Sequence, residues 1–364
     1  MALQDKIDER RKEIRTDGYP ISIGEWVSLY ENKELDIHPE FQRFFRWSDA
    51  QKTALIESIL LGIPIPSIFV SQRPNGVWDV VDGLQRLSTI FQFMGILRNE
   101  NGDIIKPLIL DATKYLPQLS GVAWDANGAV QLPPESKLII KRSKINASII
   151  LRESDESAKY DLFQRLNTGG SQASDQEVRN CIMVMIRPEF FRWIKNLAED
   201  QNFSDAIALS DRPIQESYDL ELTLRFLIFS FMDDADLNSV GDVGLFLSER
   251  MRELIDKPQD QLEPLGKAFR ETFRLLNDTM SDTPFKRYNK EKDRFMGGFL
   301  ISQFEVVACG IGWNLAAGNS PTDISNKVAA LWSNKDYTDW QGSGITAARR
   351  LPRLIPLGRN LFEA

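Results

Sequence analysis

Histidine is nearly absent from this chain of 364 residues, with His38 standing alone. An HNH nuclease needs a histidine base and usually a second histidine on its metal. Zincins and Ser-His-Asp triads need theirs at fixed spacings. Those chemistries are excluded. Cysteine is scarce too: Cys181 and Cys309 are too few for a disulfide framework or a Cys-rich zinc site. Both lie in apolar stretches and read as core thiols, and such sparing use of cysteine points to the cytoplasm. The glycine-rich P-loop signature is missing, which removes the P-loop NTPases. No apolar run opens the chain. Met1 to Arg15 is rich in Lys, Arg, Asp and Glu; it reads as a charged, solvated helix, and a secretory signal is not expected there. Phe295 to Thr322 is the least charged late stretch, but it holds Glu305 and several Gly and Asn residues. It reads as a buried helix followed by a loop, so no membrane contact is expected. Positive charge is also in deficit. Lys and Arg number 44 against 52 Asp and Glu, a net charge of -8, so any polyanion must be held by local basic patches.

What is present is the composition of an ordinary globular protein, with 42% hydrophobic and 26% charged residues. Ser22-Ile23-Gly24-Glu25 has the pattern of a capping box, which predicts a short helix through Tyr30. Leu35-Asp36-Ile37 reads as a strand. Ser48-Asp49-Ala50-Gln51 is a second box; it opens a helix burying Leu55, Ile59 and Leu60 that stops at Gly62 and Pro64. Ile65 to Val70 and Trp78 to Val81 read as strands joined through a turn at Gly76. Asp82 to Gln85 forms a third box, with Asp82 as N-cap, and its helix buries Leu87, Ile90, Phe91 and Met94. Ile104 to Leu110 and Lys137 to Leu151 carry β-type runs. Asp155 to Leu166 reads as a helix, and Ser174 to Glu177 caps the next one. From there the pattern is almost wholly helical. Leu220 to Phe231 is apolar all round, and Leu265, Phe269, Phe273 and Leu276 recur at helical spacing. These readings predict an α+β half over residues 1–180 and a mainly α-helical half over residues 181–364.

The candidate chemistry centres on Val81-Asp82-Gly83-Leu84-Gln85-Arg86-Leu87-Ser88-Thr89, where a strand runs into a helix through a glycine. The first amides of a helix have no internal acceptor, and its dipole adds partial positive charge there. Gly83 is expected to let a phosphate approach the backbone, and Arg86 to add a planar fork of donors. Read structurally, Asp82 is only a cap and Arg86 only a salt-bridge partner. A second element is Phe41-Gln42-Arg43-Phe44-Phe45-Arg46-Trp47, arginines among aromatics beside a glutamine. The third is Phe163-Gln164-Arg165-Leu166-Asn167-Thr168-Gly169-Gly170, whose glycines read as a helix stop and whose Arg165 or Asn167 could reach the same pocket. Arg349, Arg350 and Arg353, with Arg359 behind them, make a local positive patch able to touch nucleic-acid phosphates. The same residues also fit a solvated helix with acidic neighbours. A further basic cluster, Lys286, Arg287, Lys290, Lys292 and Arg294, is diluted by Glu291 and Asp293.

Several of these motifs recur in order in one family. Ile37-His38-Pro39 with Phe41-Gln42-Arg43 and Trp47, Leu55 to Pro66, Val81 to Thr89, and Phe163 to Gly170 with Glu177, Arg179 and Asn180 resemble the N-terminal domain of GmrSD-type type IV restriction enzymes. The resemblance implies a ParB/sulfiredoxin-like fold whose DGQQR motif binds nucleoside triphosphate, often hydrolyses it, and serves phage defence. It carries Asp82, Gly83, Gln85 and Arg86 onto that motif and Arg43 onto a second phosphate contact. Leu84 departs from the motif's glutamine, which makes binding the safer expectation than turnover. The HNH domain often fused behind such domains is missing, in keeping with the single histidine.

The combined expectation is an NTP-binding component of a phage-defence or modified-DNA restriction system, with NTP hydrolysis left open by Leu84 and with NTP and Mg2+ as cofactors. Asp82 and Arg86 would be catalytic, with Asp82 also holding the metal. Gln42, Arg43, Gly83, Gln85, Arg86, Ser88, Arg165 and Asn167 would bind nucleotide. Arg349, Arg350 and Arg353 would touch DNA. A separate nuclease or defence subunit and a homo-oligomer are the expected protein partners. Two alternatives stand beside it. One is a ParB-like metal-dependent nuclease using Asp79 and Asp82, with Glu135-Ser136-Lys137 as an E-x-K strand. The other is a non-catalytic nucleotide- or DNA-binding regulator.

Overall fold

A computed structural model describes residues 15–37, 47–99, 101–125, 130–152, 174–210, 213–214, 217–342 and 344–363. The expected helices over Met1 to Arg15 and Asp155 to Leu166 lie outside the described residues, apart from Arg15. The chain divides into two compact units, Met1–Ala173 and Ser174–Ala364. Ser174 caps the helix Asp175–Ile186, so a break between residues 180 and 181 would cut that helix.

The first unit is built on a five-stranded mixed sheet. Its strands are β1 (Thr16–Ser22), β2 (Leu35–Asp36), β3 (Ile68–Gln72), β4 (Trp78–Asp82) and β7 (Lys144–Ile150), in the order β1-β7-β3-β4-β2. A short parallel pair, β5 (Val122–Ala123) and β6 (Val130–Gln131), stands apart. In the main sheet, alternate residues of β3 and β7 turn inward: Ile68, Val70, Ile145, Ala147 and Ile149 are buried. The helices close over them. α1 (Ile23–Glu31) starts where the Ser22 hydroxyl accepts the Glu25 amide at 3.1 Å. α2 (Asp49–Leu60) starts at Ser48 in a complete capping box with Gln51. α3 (Leu84–Phe93) contributes Leu87, Ile90, Phe91 and Phe93 to the core.

Three expectations change. Residues 137–142 are not strand but the end of α4 (Pro134–Arg142). Pro134 sits in its first turn, where the lost amide costs nothing, and Lys141 and Arg142 sit at the negative end of its dipole. Only from Lys144 does the chain become β7. Ile104 to Leu110 makes isolated bridges, Arg98 with Ile104 and Ile109 with Ala123, because Pro107 removes a ladder donor. The strand expected from Ile65 starts at Ile68, after Pro66. β1 was hidden by Gly18 and Pro20, which break a strand pattern yet are tolerated on a sheet edge; β1 pairs with β7 alone.

The second unit is helical apart from one hairpin. Its helices are α5 (Asp175–Ile186), α6 (Pro188–Ala198), α7 (Gln201–Ile207), α8 (Tyr218–Phe229), α9 (Asp234–Leu237), α10 (Val243–Ile255), α11 (Gln259–Met280), α12 (Ile301–Ala316), α13 (Ile324–Leu331), α14 (Lys335–Thr338) and α15 (Ala347–Leu361). β8 (Arg287–Asn289) and β9 (Arg294–Met296) pair between α11 and α12. The aromatic stripe read from the sequence is core: Phe269 lies 4.6 Å from Phe273 and 5.2 Å from Phe226, ring centre to ring centre. Cys309 is fully buried, and burial pushes its thiol up to about 12, so it is an inert core residue. The Cys181 side chain lies outside the described residues. Among the described residues no helix is long and apolar enough to cross a membrane.

A chain of buried charges crosses this unit. Arg179 donates to Glu221 at 2.8 Å, and Glu221 also accepts from Arg225 at 2.9 Å. Arg225 approaches Glu305 at 3.7 Å, and Glu305 is gripped by both Arg350 Nε at 2.6 Å and Nη2 at 2.8 Å. The chain joins α5, α8, α12 and α15.

Candidate functional site at the β4–α3 turn

β4 ends at Asp82, and Gly83 carries the backbone into α3 at φ +100°. Gly83, not Asp82, is the N-cap, and no side chain caps this helix. The third capping box is therefore corrected. The Asp82 carboxylate turns instead to its neighbours: Oδ1 accepts the Gly83 amide at 2.7 Å, and Oδ2 accepts from Arg86 Nη2 at 2.9 Å. The first bond of the helical ladder runs from the Leu87 amide to Gly83 O at 3.0 Å, so the amides of Leu84, Gln85 and Arg86 precede the ladder. α2 and α5 start at serine capping boxes, whereas the N-cap of α3 is a glycine with no side chain to offer.

Two roles shift once the packing is seen. A Cβ added to Gly83 would stand 2.3 Å from Ile68 Cδ1. Glycine is thus required by its positive φ and by core packing. Arg86 donates through Nη1 to Pro66 O at 2.6 Å and Ser67 O at 2.9 Å as well as to Asp82. It bolts the first turn of α3 to the segment entering β3. Replacing Gly83 by Ala should lower stability by about 1–3 kcal/mol from strain and steric overlap together. Ile68→Val in the same chain should recover the overlap part alone. A urea titration of the single and double variants measures both, and an unchanged midpoint in Gly83→Ala would contradict this geometry.

The remaining expected ligands separate. Gln85 is half-buried at the turn. Ser88 is fully buried, and its Oγ has no hydrogen-bond partner among the described residues. It faces the core, so a ligand on the surface does not touch it, and its place among the nucleotide ligands is corrected. Gln42, Arg43, Arg165 and Asn167 lie outside the described residues. β2 runs parallel to β4, with Asp36 opposite Asp79. The chain therefore leaves Ile37 toward the same end of the sheet as the Asp82-Gly83 turn.

The nuclease alternative loses its parts. Asp79 is buried at 2% exposure and held by Arg73, which bridges it to Asp36. Glu135, Ser136 and Lys137 lie on α4 and not on a strand, since Pro134 starts a helix there. Among the described residues no three His, Cys, Asp or Glu side chains gather as a metal site. A cleft of about 780 Å3 lies near the start of β4, lined by Tyr30, Lys33, Asp36, Arg73, Val77 and Arg98 among others. Residues of the Asp82-Gly83 turn do not line it. Sequence reading missed the Asp36-Arg73-Asp79 cluster, because nothing in the spacing says that residues 37 positions apart meet across two strands.

The arginine tail also divides. α15 presents Arg349 and Arg353 to solvent, whereas Arg350 is turned inward onto Glu305, and Arg359 is buried against Asp234 and the carbonyls of Phe229, Ser230 and Met232. Arg350 is corrected from a surface cation to an internal one: helical spacing puts Arg349 and Arg353 on one face and Arg350 off it.

Residues 23–184 match the family model described as GmrSD restriction endonuclease, N-terminal domain. This is the family that the ordered motifs resemble. The GmrSD match contains the whole β4–α3 turn and ends within α5, so it takes in the first helix of the second unit. It covers less than half of the 364 residues. No curated protein and no solved structure matches the chain. Residues 23–184 are thus similar to the N-terminal domain of a restriction endonuclease family, within an α+β first unit with a mixed sheet and the start of the second unit.

Proposed function

We infer that the GmrSD domain of this chain binds a nucleoside triphosphate at the β4–α3 turn and serves as the nucleotide-dependent component of a phage-defence or modified-DNA restriction system. The fold that this reading assigns to the first unit is ParB/sulfiredoxin-like. The observation that carries it is the uncapped start of α3. Amides precede the ladder of a ten-residue helix, with Arg86 in its first turn, where the other boxes of this chain have a serine. Such a terminus favours a polyphosphate.

Asp82 already occupies the Gly83 amide and one arm of Arg86. A phosphate would therefore compete with this internal carboxylate, and displacing it frees Asp82 to hold the incoming Mg2+. Leu84 adds no polar group, which favours binding over fast turnover. These 364 residues hold one histidine and so no HNH site, and DNA cleavage would come from a nuclease elsewhere in the system.

Thermal unfolding with each NTP and Mg2+ tests the reading. A nucleotide at about a hundred times its dissociation constant should stabilise by roughly 2.7 kcal/mol. Asp82→Asn should keep that stabilisation or increase it, and abolish any phosphate release. If no nucleotide shifts the transition at millimolar concentration, the turn is a structural joint only.

A further inference from the structure

The second unit carries a feature outside the GmrSD match that the turn does not explain. Several surface cations there are neutralised in place: Arg250 pairs with Glu253 and Asp236, Arg274 with Asp278, and Lys286 with Asp282. Six others on the hairpin and α15 are not. Arg287, Lys290, Lys292, Arg294, Arg349 and Arg353 are all exposed. Among the described residues none of them has a carboxylate within 4.0 Å. The protein carries more acids than bases, so a group of unpaired cations in one region runs against its composition.

Two tryptophans lie among them. Arg349 and Arg353 are held 5.8 and 5.5 Å from the centre of the Trp340 ring. Arg287, on β8, stands 5.4 Å from the Trp332 ring. Tyr337 packs edge-on to Trp332 at 5.4 Å and lies between the two tryptophans in sequence. Tyr337 is itself buried, and its carbonyl accepts the Trp340 amide at 3.1 Å, so the two tryptophans and the arginines over them lie in one region. Acids are present but fewer: Glu291 and Asp293 at the hairpin tip, with Asp293 accepting a hydrogen bond from Tyr288, and Asp336 and Asp339 before Trp340.

We propose that this region is a track for single-stranded DNA. Guanidinium groups lying over indole rings keep their edge N–H groups for phosphates, while the aromatic and guanidinium planes offer stacking surfaces to bases. A duplex hides the faces of its bases; a single strand does not. The hairpin cations, farther from the rings, take backbone phosphates without regard to sequence. The choice of DNA over RNA rests on the restriction reading above. The track itself does not, since it uses none of the residues at the β4–α3 turn.

Fluorescence titration of the full chain with an oligothymidylate strand tests it, beside a duplex of equal length and an oligouridylate strand. The single strand should quench tryptophan emission and bind at least about tenfold more tightly than the duplex, the effect of one stacked base. Arg349→Ala with Arg353→Ala, and separately Trp340→Leu, should each weaken binding by about tenfold or more. Lys290→Ala with Lys292→Ala should lower the slope of log K against log salt by about 0.7 for each phosphate left without its lysine. Arg86→Ala should leave all of this unchanged, which separates failure of the track from failure of the nucleotide site. Variants are compared only where they melt at the wild-type temperature; Arg349, Arg353, Lys290 and Lys292 are exposed, so the arginine and lysine pairs keep the test open if Trp340→Leu unfolds. Duplex binding equal to single-strand binding, or wild-type affinity in both the arginine and the lysine variants, would overturn the proposal. Tighter binding of the oligouridylate would overturn the assignment to DNA.

Discussion

Glu305→Gln is expected to remove about 3–5 kcal/mol from the stability of the helical unit. Glu305 is fully buried and takes two hydrogen bonds from Arg350, at 2.6 and 2.8 Å, with Arg225 standing 3.7 Å away. Glutamine keeps the shape but removes the charge, so the Arg350 guanidinium stays buried against a neutral amide. Its other bond, to Ile345 O at 3.1 Å, does not compensate. The cost arises from stranding one partner, not from the net worth of the pair. Replacing both partners, Glu305→Leu with Arg350→Leu, should therefore recover much of the loss, and the two substitutions should be strongly non-additive. Calorimetry that resolves the unfolding transition measures this. A single variant within about 1 kcal/mol of wild type would mean that the pair is not desolvated as the structure shows.

That pair also shows where sequence reading reaches and where it stops. Local signals held. The serine boxes at Ser48 and Ser174 start the helices they announce, because a cap involves residues only three apart. The apolar stripe of α11 predicted its buried face for the same reason. Signals that depend on partners far along the chain did not. Arg350 read like Arg349 and Arg353, since nothing nearby says that Glu305, 45 positions earlier, waits on the other side of α15. At the candidate turn, the strand, the glycine and the helix were legible. What was not legible was how the polar atoms are spent. Asp82-Gly83-Leu84-Gln85 has the spacing of a capping box, yet Gly83 takes the cap, because a positive φ is needed to enter α3 over Ile68. Arg86 then closes on Asp82 and on carbonyls far back along the chain. Breakers proved an uneven guide. Pro20 hid an edge strand, and Pro352 and Pro356 sit inside α15 without ending it, because tertiary packing outweighs the local loss of a helical hydrogen bond.

Gly358→Ala should destabilise the protein by about 3 kcal/mol, opposite in sign to what helix propensity alone predicts. In an exposed helix the same change stabilises by about 1 kcal/mol. Here a Cβ on Gly358 would fall 2.0 Å from Val306 O, and one on Gly310 would fall 2.5 Å from the Gly358 carbonyl. The two glycines let α12 and α15 touch backbone to backbone. The obstructing atoms are main chain, so no rotamer change relieves the clash and the helices must part. Parting them strains everything on the same seam: the Asn314 amide donates to Arg359 O at 2.8 Å, and Glu305 reaches Arg350 from the same pair of helices. Once the seam is open, a further loss at Glu305 should matter less, so Gly358→Ala and Glu305→Gln together should cost less than their sum. Chemical unfolding of the two single variants and the double variant supplies the cycle. A neutral or stabilising Gly358→Ala would show that α12 and α15 do not meet at these glycines, and the internal position assigned to Arg350 would fall with that seam.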